Sequence, residues 1–180
     1  SRTVGWFTSV HPVRLDAGPA DIGEVRAGGA AAGRVVKRVK EQLRAVPGDG
    51  LGYGMLRYLN PETGAVLAGL PSAQIGFNYL GRFSGRGGEW QLTQDGFGKG
   101  ANGRAPVMHA LEVLGMVHDV PGGPELTLSL AWPERILDEA EVQALLDGWA
   151  AMLAGFAAHA SRPGSGGHTP SDFPLVELEQ

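Results

Sequence analysis

An amide and a phenol stand side by side in Gly76-Phe77-Asn78-Tyr79-Leu80-Gly81, an otherwise apolar run. Asn is poorly suited to a strand interior, and a polar group buried there needs a hydrogen-bonding partner. Two readings follow: Asn78 and Tyr79 work on a ligand, or Asn78 is a satisfied strand-end residue and Tyr79 a core aromatic. A second candidate, Gly50-x-Gly52-x-Gly54, resembles a phosphate-cradling loop, but no strand precedes it and its third glycine is misplaced for a dinucleotide fingerprint. A tight backbone turn accounts for those glycines. His11, His109, His118, His159 and His168 show no metal-ligand spacing, so no metal site is expected. His168 with Ser171-Asp172 falls in a Gly, Pro and Ser-rich tail, which argues against a hydrolase triad.

Composition narrows the chemistry further. The chain has 180 residues, one domain's worth, and its 43% hydrophobic content is enough for a buried core. With 15 basic against 19 acidic residues there is no basic excess to suggest a nucleic-acid partner. Apolar runs fall well short of the roughly 18 residues that span a bilayer, and no signal-peptide pattern opens the chain; no membrane partner is expected. Zero cysteines exclude disulfides, thiolate metal sites and a Cys nucleophile, and fit a cytoplasmic protein.

The elements that must position these residues can be read in order. Ser1 to Thr8 looks like a strand already under way, as in an excised fragment, and Thr3 to Val13, β-branched and aromatic, is expected to be a strand ended by Pro12. Asp16 to Gly29 reads as a loop. Ala30 to Val46 reads as a helix with Val35, Val36, Val39 and Leu43 on one face, stopped by Pro47-Gly48. Its basic face (Arg34, Lys37, Arg38, Arg44) is either solvated or docks an acidic partner. Leu51 to Leu59 reads as a glycine-rich turn running into a strand or short helix, and Asn60-Pro61 starts a turn.

Gln74 to Leu80 is expected to be a short strand and Arg82 to Pro106 a long loop. Val107 to Val117 and Glu125 to Trp132 alternate in polarity and form a hairpin through the longer-than-minimal turn Pro121-Gly122-Gly123-Pro124. Asp138 and Glu141 make a capping box that opens a last helix. Its apolar stripe, Val142, Leu145, Leu146, Trp149, Leu153 and Phe156, is core. The tail from Ser161 reads as a linker. Strands and helices in this order give an α/β layer structure with a mixed sheet.

Three segments, in order, resemble the signatures of epimerization domains of nonribosomal peptide synthetases. Arg2-Thr3-Val4-Gly5-Trp6-Phe7-Thr8-Ser9-Val10-His11-Pro12-Val13 is similar to R-T-V-G-W-F-T-x-x-Y-P, with His11 for the usual Tyr. Val46-Pro47-Gly48-Asp49-Gly50-Leu51-Gly52-Tyr53-Gly54 is similar to P-x-x-G-x-G-Y-G. Phe77-Asn78-Tyr79-Leu80-Gly81-Arg82-Phe83 is similar to F-N-Y-L-G-Q-F, with Arg82 for Gln. The tail from His168 to Val176 resembles the linker leaving such domains.

The resemblance implies the C-terminal lobe of a chloramphenicol-acetyltransferase-like two-lobed fold, with a mixed sheet and flanking helices, over residues 1–160, and an inter-domain linker over 161–180. It implies an isomerase of secondary metabolism such as antibiotic biosynthesis. The family inverts the Cα of an aminoacyl or peptidyl thioester delivered on the 4'-phosphopantetheine arm of a peptidyl carrier protein, so no cofactor bound by the chain itself is expected. The chemistry needs an acid–base group on each side of Cα and donors at the thioester oxygen.

The family's acid–base residues belong to H-H-x-x-x-D-G and E-G-H-G-R-E motifs, absent here and upstream in the family. The partners implied are therefore an N-terminal lobe, the carrier protein and a downstream synthetase domain. Asn78 and Tyr79 match positions that the family places in its active site. Trp6, Phe7 and Tyr53 would line the substrate tunnel, and the glycines around Tyr53, Gly54 among them, would let the pantetheine arm approach the backbone. Adjacent strand residues face opposite sides, so either the strand is distorted at Asn78 or only one of the pair points into the tunnel. Two alternatives remain: a noncatalytic scaffold or carrier-docking module of the same fold, and a condensation-type acyltransferase fragment.

Overall fold

The computed structural model describes residues 8–83 and 107–173. The chain divides into two compact units, residues 1–70 with 143–180, and residues 71–142.

In the first unit, α1 (Ile22–Arg26) is capped by Asp21, whose Oδ1 accepts from Glu24 N–H at 3.0 Å. A loop was expected here; a cap and an acidic first turn are enough for one short helix. α2 (Ala30–Arg44) follows. Its buried residues are Ala31, Ala32 and Val35, which with Val25 form a core joined by Val39 and by Met152 and Phe156 of α5 (Glu139–Ala160). Val36 and Leu43, expected on that face, are instead 47% exposed. The buried stripe is centred on the alanines and Val35. Gly155 marks a close approach of α5 to α1: a Cβ there would overlap the Val25 carbonyl oxygen.

Residues 8–13 carry no strand, contrary to the expectation for Thr3 to Val13; the part before Thr8 lies outside the described residues. Side chains hold this segment instead of a ladder. Ser9 Oγ donates to the Asp49 carbonyl at 3.2 Å, and the His11 ring packs on Gly50. The glycine-rich motif resolves into a 3-10 turn, Pro47–Gly50, and α3 (Leu51–Tyr58). Asn60-Pro61 opens another helix, α4 (Pro61–Ala68), with Asn60 Oδ1 accepting from Glu62 N–H at 2.9 Å and Thr63 N–H at 3.1 Å. Asn-Pro serves equally as a turn start and as an N-cap followed by proline in the first helical turn.

The second unit is a three-stranded mixed sheet in the order β1 (Ile75–Phe83), β2 (Leu111–Val120), β3 (Gly123–Ala131). β1 runs parallel to β2, and β2 antiparallel to β3. β1 extends past Leu80 to Phe83, so Arg82 is a strand residue; of the long loop expected from it, residues 84–106 lie outside the described residues. β2 begins at Leu111, later than the Val107 expected from its polarity. Val120 pairs with Gly123, which leaves Pro121-Gly122 as a two-residue turn, tighter than expected. Gly123, at φ 120°, takes a conformation that larger residues rarely adopt and so joins the strand.

The capping box is present. Asp138 N–H donates to Glu141 Oε2 at 2.9 Å and Glu141 N–H to Asp138 Oδ1 at 2.8 Å. Along α5, Val142 is buried, whereas Leu145, expected in the core, is 50% exposed. No described helix is long and apolar enough to cross a membrane.

Candidate active site

β1 pairs in regular register from Ile75↔Leu111 to Tyr79↔Gly115. Alternation then puts Ile75, Phe77 and Tyr79 on one face with Leu111, Val113 and Gly115, and Gly76 and Asn78 on the other with Glu112 and Leu114. The strand is thus undistorted at Asn78, and the two residues point in opposite directions. Each is exposed within the chain; Tyr79 retains 51% of its surface. Neither side chain is buried by the described residues.

Glycines make room on both faces. A Cβ on Gly115 would stand 3.4 Å from both Tyr79 Cδ2 and Leu128 Cδ2, so the phenol ring lies along the β2 backbone with a leucine of β3 beside it. On the Asn78 face, a Cβ on Gly76 would overlap the Glu112 carboxylate and the His109 ring. His109 Nδ1 lies 2.8 Å from the Ala73 carbonyl. A carbonyl only accepts, so Nδ1 carries the proton and Nε2 is turned toward Glu112 Oε1, 3.9 Å away. Sequence reading missed His109 and Glu112 because nothing in their own spacing ties them to Gly76, which sits on another strand.

The distortion falls one step later. The register shifts between Tyr79 and Arg82, with Arg82 opposite Val117 and Phe83 opposite His118, whose ring stacks on Phe83 at 6.1 Å. Gly81, at φ 91°, supplies the left-handed backbone. Arg82 Nε donates to Asp119 Oδ1 at 2.8 Å, and Nη2 lies 2.6 Å from the same oxygen. That hydrogen bond, then the charge of Asp119, hold the guanidinium pKa above its ordinary value.

Of the other expected tunnel residues, the described pair belongs to the first unit. Tyr53 and Gly54 sit in α3, half-buried, and Trp6 and Phe7 lie outside the described residues. α3 is entered through three successive left-handed residues, Gly48 (φ 55°), Asp49 (φ 51°) and Gly50 (φ 76°). A Cβ on Gly52 or Gly54 would meet nothing within 4 Å. Those two glycines are therefore not there for packing among the described residues.

The basic face of α2 finds its acidic partners within the chain. Arg34 meets Glu24 at 3.5 Å and Arg38 meets Asp16 at 2.6 Å, while Lys37 Nζ donates to the Gly166 carbonyl at 3.3 Å. Lys40 and Arg44 hold Asp172 at 2.6 and 2.7 Å. Thr169, buried, and Ser171 donate through their hydroxyls to Glu41 Oε1. Hydrogen bonds from Ser171 and Thr169 lower the Glu41 pKa, and Lys40, the Thr169 amide and Arg44 hold Asp172 well below the usual carboxylate range. The segment from His168 to Asp172 is thereby tied to α2.

Among the described residues no three His, Cys, Asp or Glu side chains converge as a metal site. Cavities of about 450 Å³, beside Trp132 and Asp138, and about 290 Å³, beside Pro19 and Arg34, are lined by none of Asn78, Tyr79, Tyr53 and Gly54.

Comparison with known proteins gives this geometry its context. The family described as Condensation domain matches residues 1–178. The chain is 37% identical over 185 residues to a linear gramicidin synthase of Brevibacillus parabrevis, covering 100% of this chain and 2% of that protein. It is 33% identical over 181 residues to surfactin synthase subunit 2 of Bacillus subtilis (strain 168), covering 99% of this chain and 5% of that one. Among solved structures, the epimerization domain from the third module of tyrocidine synthetase B superposes with a TM-score of 0.66 at 29% identity, over 88% of this chain and 34% of that one. The chain thus spans a few per cent of its curated relatives and about a third of the solved domain. With the match running from the first residue to 178 and the mixed sheet carrying Asn78 and Tyr79 in place, the chain belongs to the condensation-domain family.

Proposed function

We propose that the chain is part of an epimerization domain that inverts the Cα of an aminoacyl or peptidyl thioester, presented on the phosphopantetheine arm of a peptidyl carrier protein. The observation that carries this reading is the 29% identical superposition on an epimerization domain, with Phe77-Asn78-Tyr79-Leu80-Gly81 forming a strand of the mixed sheet. In the reaction a base removes the Cα proton, and the C–H electron pair moves onto the thioester oxygen as an enolate. A proton then returns to the opposite face of Cα. The Tyr79 hydroxyl, carried on a half-exposed ring, is suited to donate a hydrogen bond to that oxygen as charge builds there. The groups that move the Cα proton are those of the His-His and glutamate motifs, which this chain does not contain. The partners are accordingly the N-terminal lobe bearing those motifs, the carrier protein and a downstream synthetase domain, in a cytoplasmic assembly.

Deuterium wash-in at Cα of a carrier-bound aminoacyl thioester, measured in the full protein that carries this chain, tests the reading. Exchange that falls in Tyr79→Phe supports it. A second reading, a condensation-type acyltransferase, is favoured by the description of the matching family itself. It predicts peptide-bond formation with a second loaded carrier and no deuterium at Cα. A scaffold that only docks carriers predicts neither.

A further inference from the structure

Tyr79 and Arg82 are three residues apart, and a regular strand would put them on opposite faces. β2 counts only two steps, Gly115 to Val117, over the same stretch. β1 therefore contains one extra residue, a bulge at Leu80-Gly81, and the left-handed Gly81 (φ 91°) allows it. The bulge brings Arg82 onto the Tyr79 face. Asp119 lies on that face too, two residues beyond Val117 on β2, and takes both Arg82 Nε and Nη2 at 2.8 and 2.6 Å. Asp119 is 21% exposed and Arg82 60%, so the carboxylate is the fixed end and the guanidinium reaches across to it. The ion pair closes the bulge immediately after the residue whose ring lies along Gly115.

We propose that Arg82, braced by Asp119, is a positioning residue for Tyr79. It rests on the epimerization reading given above, in which Tyr79 holds the thioester oxygen. The Arg82–Asp119 pair ties β1 to β2 just beyond the bulge, so it resists the slip in register that would lift the Tyr79 ring off Gly115. The segment's resemblance to F-N-Y-L-G-Q-F puts an uncharged Gln where this chain has Arg82. Gln donates from a single amide nitrogen and without charge, so the charged, two-pronged brace comes with Arg82.

The test has two readouts. In the full protein that carries this chain, Arg82→Ala and Asp119→Ala should each lower kcat for Cα deuterium exchange roughly ten- to hundredfold, the scale of a small misplacement of a reacting group. KM for the loaded carrier should be unchanged. The double variant should be no slower than either single one, because the two residues act as a unit. Independently of activity, Arg82→Ala should move the Tyr79 ring resonances in NMR spectra and leave those of Tyr53 and Tyr58 in place, with Arg82→Gln falling between it and the unaltered chain. Should Arg82→Ala fail to fold, Arg82→Gln and Asp119→Asn carry both measurements. Additive losses, or Tyr79 resonances that stay put, overturn the proposal. If the unaltered protein exchanges no Cα proton, the epimerization reading falls, and the Tyr79 resonances alone decide whether Arg82 positions that ring.

Discussion

Lys40 Nζ stands 2.6 Å from Asp172 Oδ2, and so joins α2 to a residue 132 positions further on. Arg44 holds the other carboxylate oxygen at 2.7 Å, and the Thr169 amide donates to Oδ2 at 2.9 Å. The short 3-10 turn Pro170–Asp172 is thus seated on a helix and closed by a capping box.

The seating is sensitive to acid, and the sign follows from the pKa shifts. Both Asp172 and Glu41 have folded-state values lowered from those of a free carboxylate, about 3.9 for Asp and 4.3 for Glu. Their contribution is therefore fully present above about pH 5 and drains away as pH falls below about 4 toward the lowered folded values. Protection of the Thr169 and Ser171 amides, their hydrogen exchange corrected for the intrinsic rate at each pH, should fall over that acid range before α2 itself melts. Asp172→Asn should lower it already at neutral pH. Amides that remain equally protected in both conditions would show that the tail is held by something other than charge.

His11 and Gly50 supply a second test. Gly50 has φ 76°, and a Cβ on it would overlap the His11 ring. Gly50→Ala should destabilise the chain by about 1–2 kcal/mol from the left-handed backbone alone, and by more through the overlap. Adding His11→Ala should restore only the overlap part, a non-additivity visible in denaturant midpoints. Equal losses with and without the ring would mean that it moves aside at no cost.

How far the sequence reveals this arrangement depends on whether the signal is local. The Asp138/Glu141 capping box and the alternation of Leu126, Leu128 and Leu130 are contained in short windows, and both are legible. Asn78 and Tyr79 are legible as a polar interruption of an apolar strand. The bulge is not, because period-2 alternation carries no mark of an inserted residue and Gly81 is one glycine among 29. The basic face of α2 offers a choice between solvent and an acidic partner, and the partner proves to be Asp16, Glu24 and Asp172 of the same chain, placed by tertiary structure alone. Leu51 to Leu59 stays ambiguous between strand and helix because Gly52 and Gly54 weaken the helix they occupy.

Those two glycines lead to a stability–function prediction. Glycine in a helix interior is about 0.8–1 kcal/mol less favourable than alanine, and a Cβ at either position meets nothing within 4 Å. Gly52→Ala and Gly54→Ala should each raise the unfolding free energy of the isolated chain by up to about that amount. If Gly54 gives the pantetheine arm its approach, Gly54→Ala should at the same time raise KM for the loaded carrier. A stabilised variant with unaltered KM would remove Gly54 from the carrier path.

The opposite facing of Asn78 and Tyr79 turns a pair of candidates into an unequal pair. Only one face of β1 can present a donor to a given thioester oxygen, so the two substitutions should not have matching effects. Tyr79 shares its face with Phe77 and Ile75, each more than half exposed, a surface suited to an acyl chain. Asn78 shares its face with Glu112, which lies across Gly76 against His109. Tyr79→Phe removes one hydroxyl and should slow Cα exchange by about 10²-fold or more, the usual cost of losing one donor at a developing oxyanion. Asn78→Ala should slow it far less and show its effect as a lowered unfolding midpoint, because the amide then serves as a support behind the reacting face. The reverse order, with Asn78→Ala the slower enzyme, would assign the thioester to the Glu112 face and make Tyr79 the support.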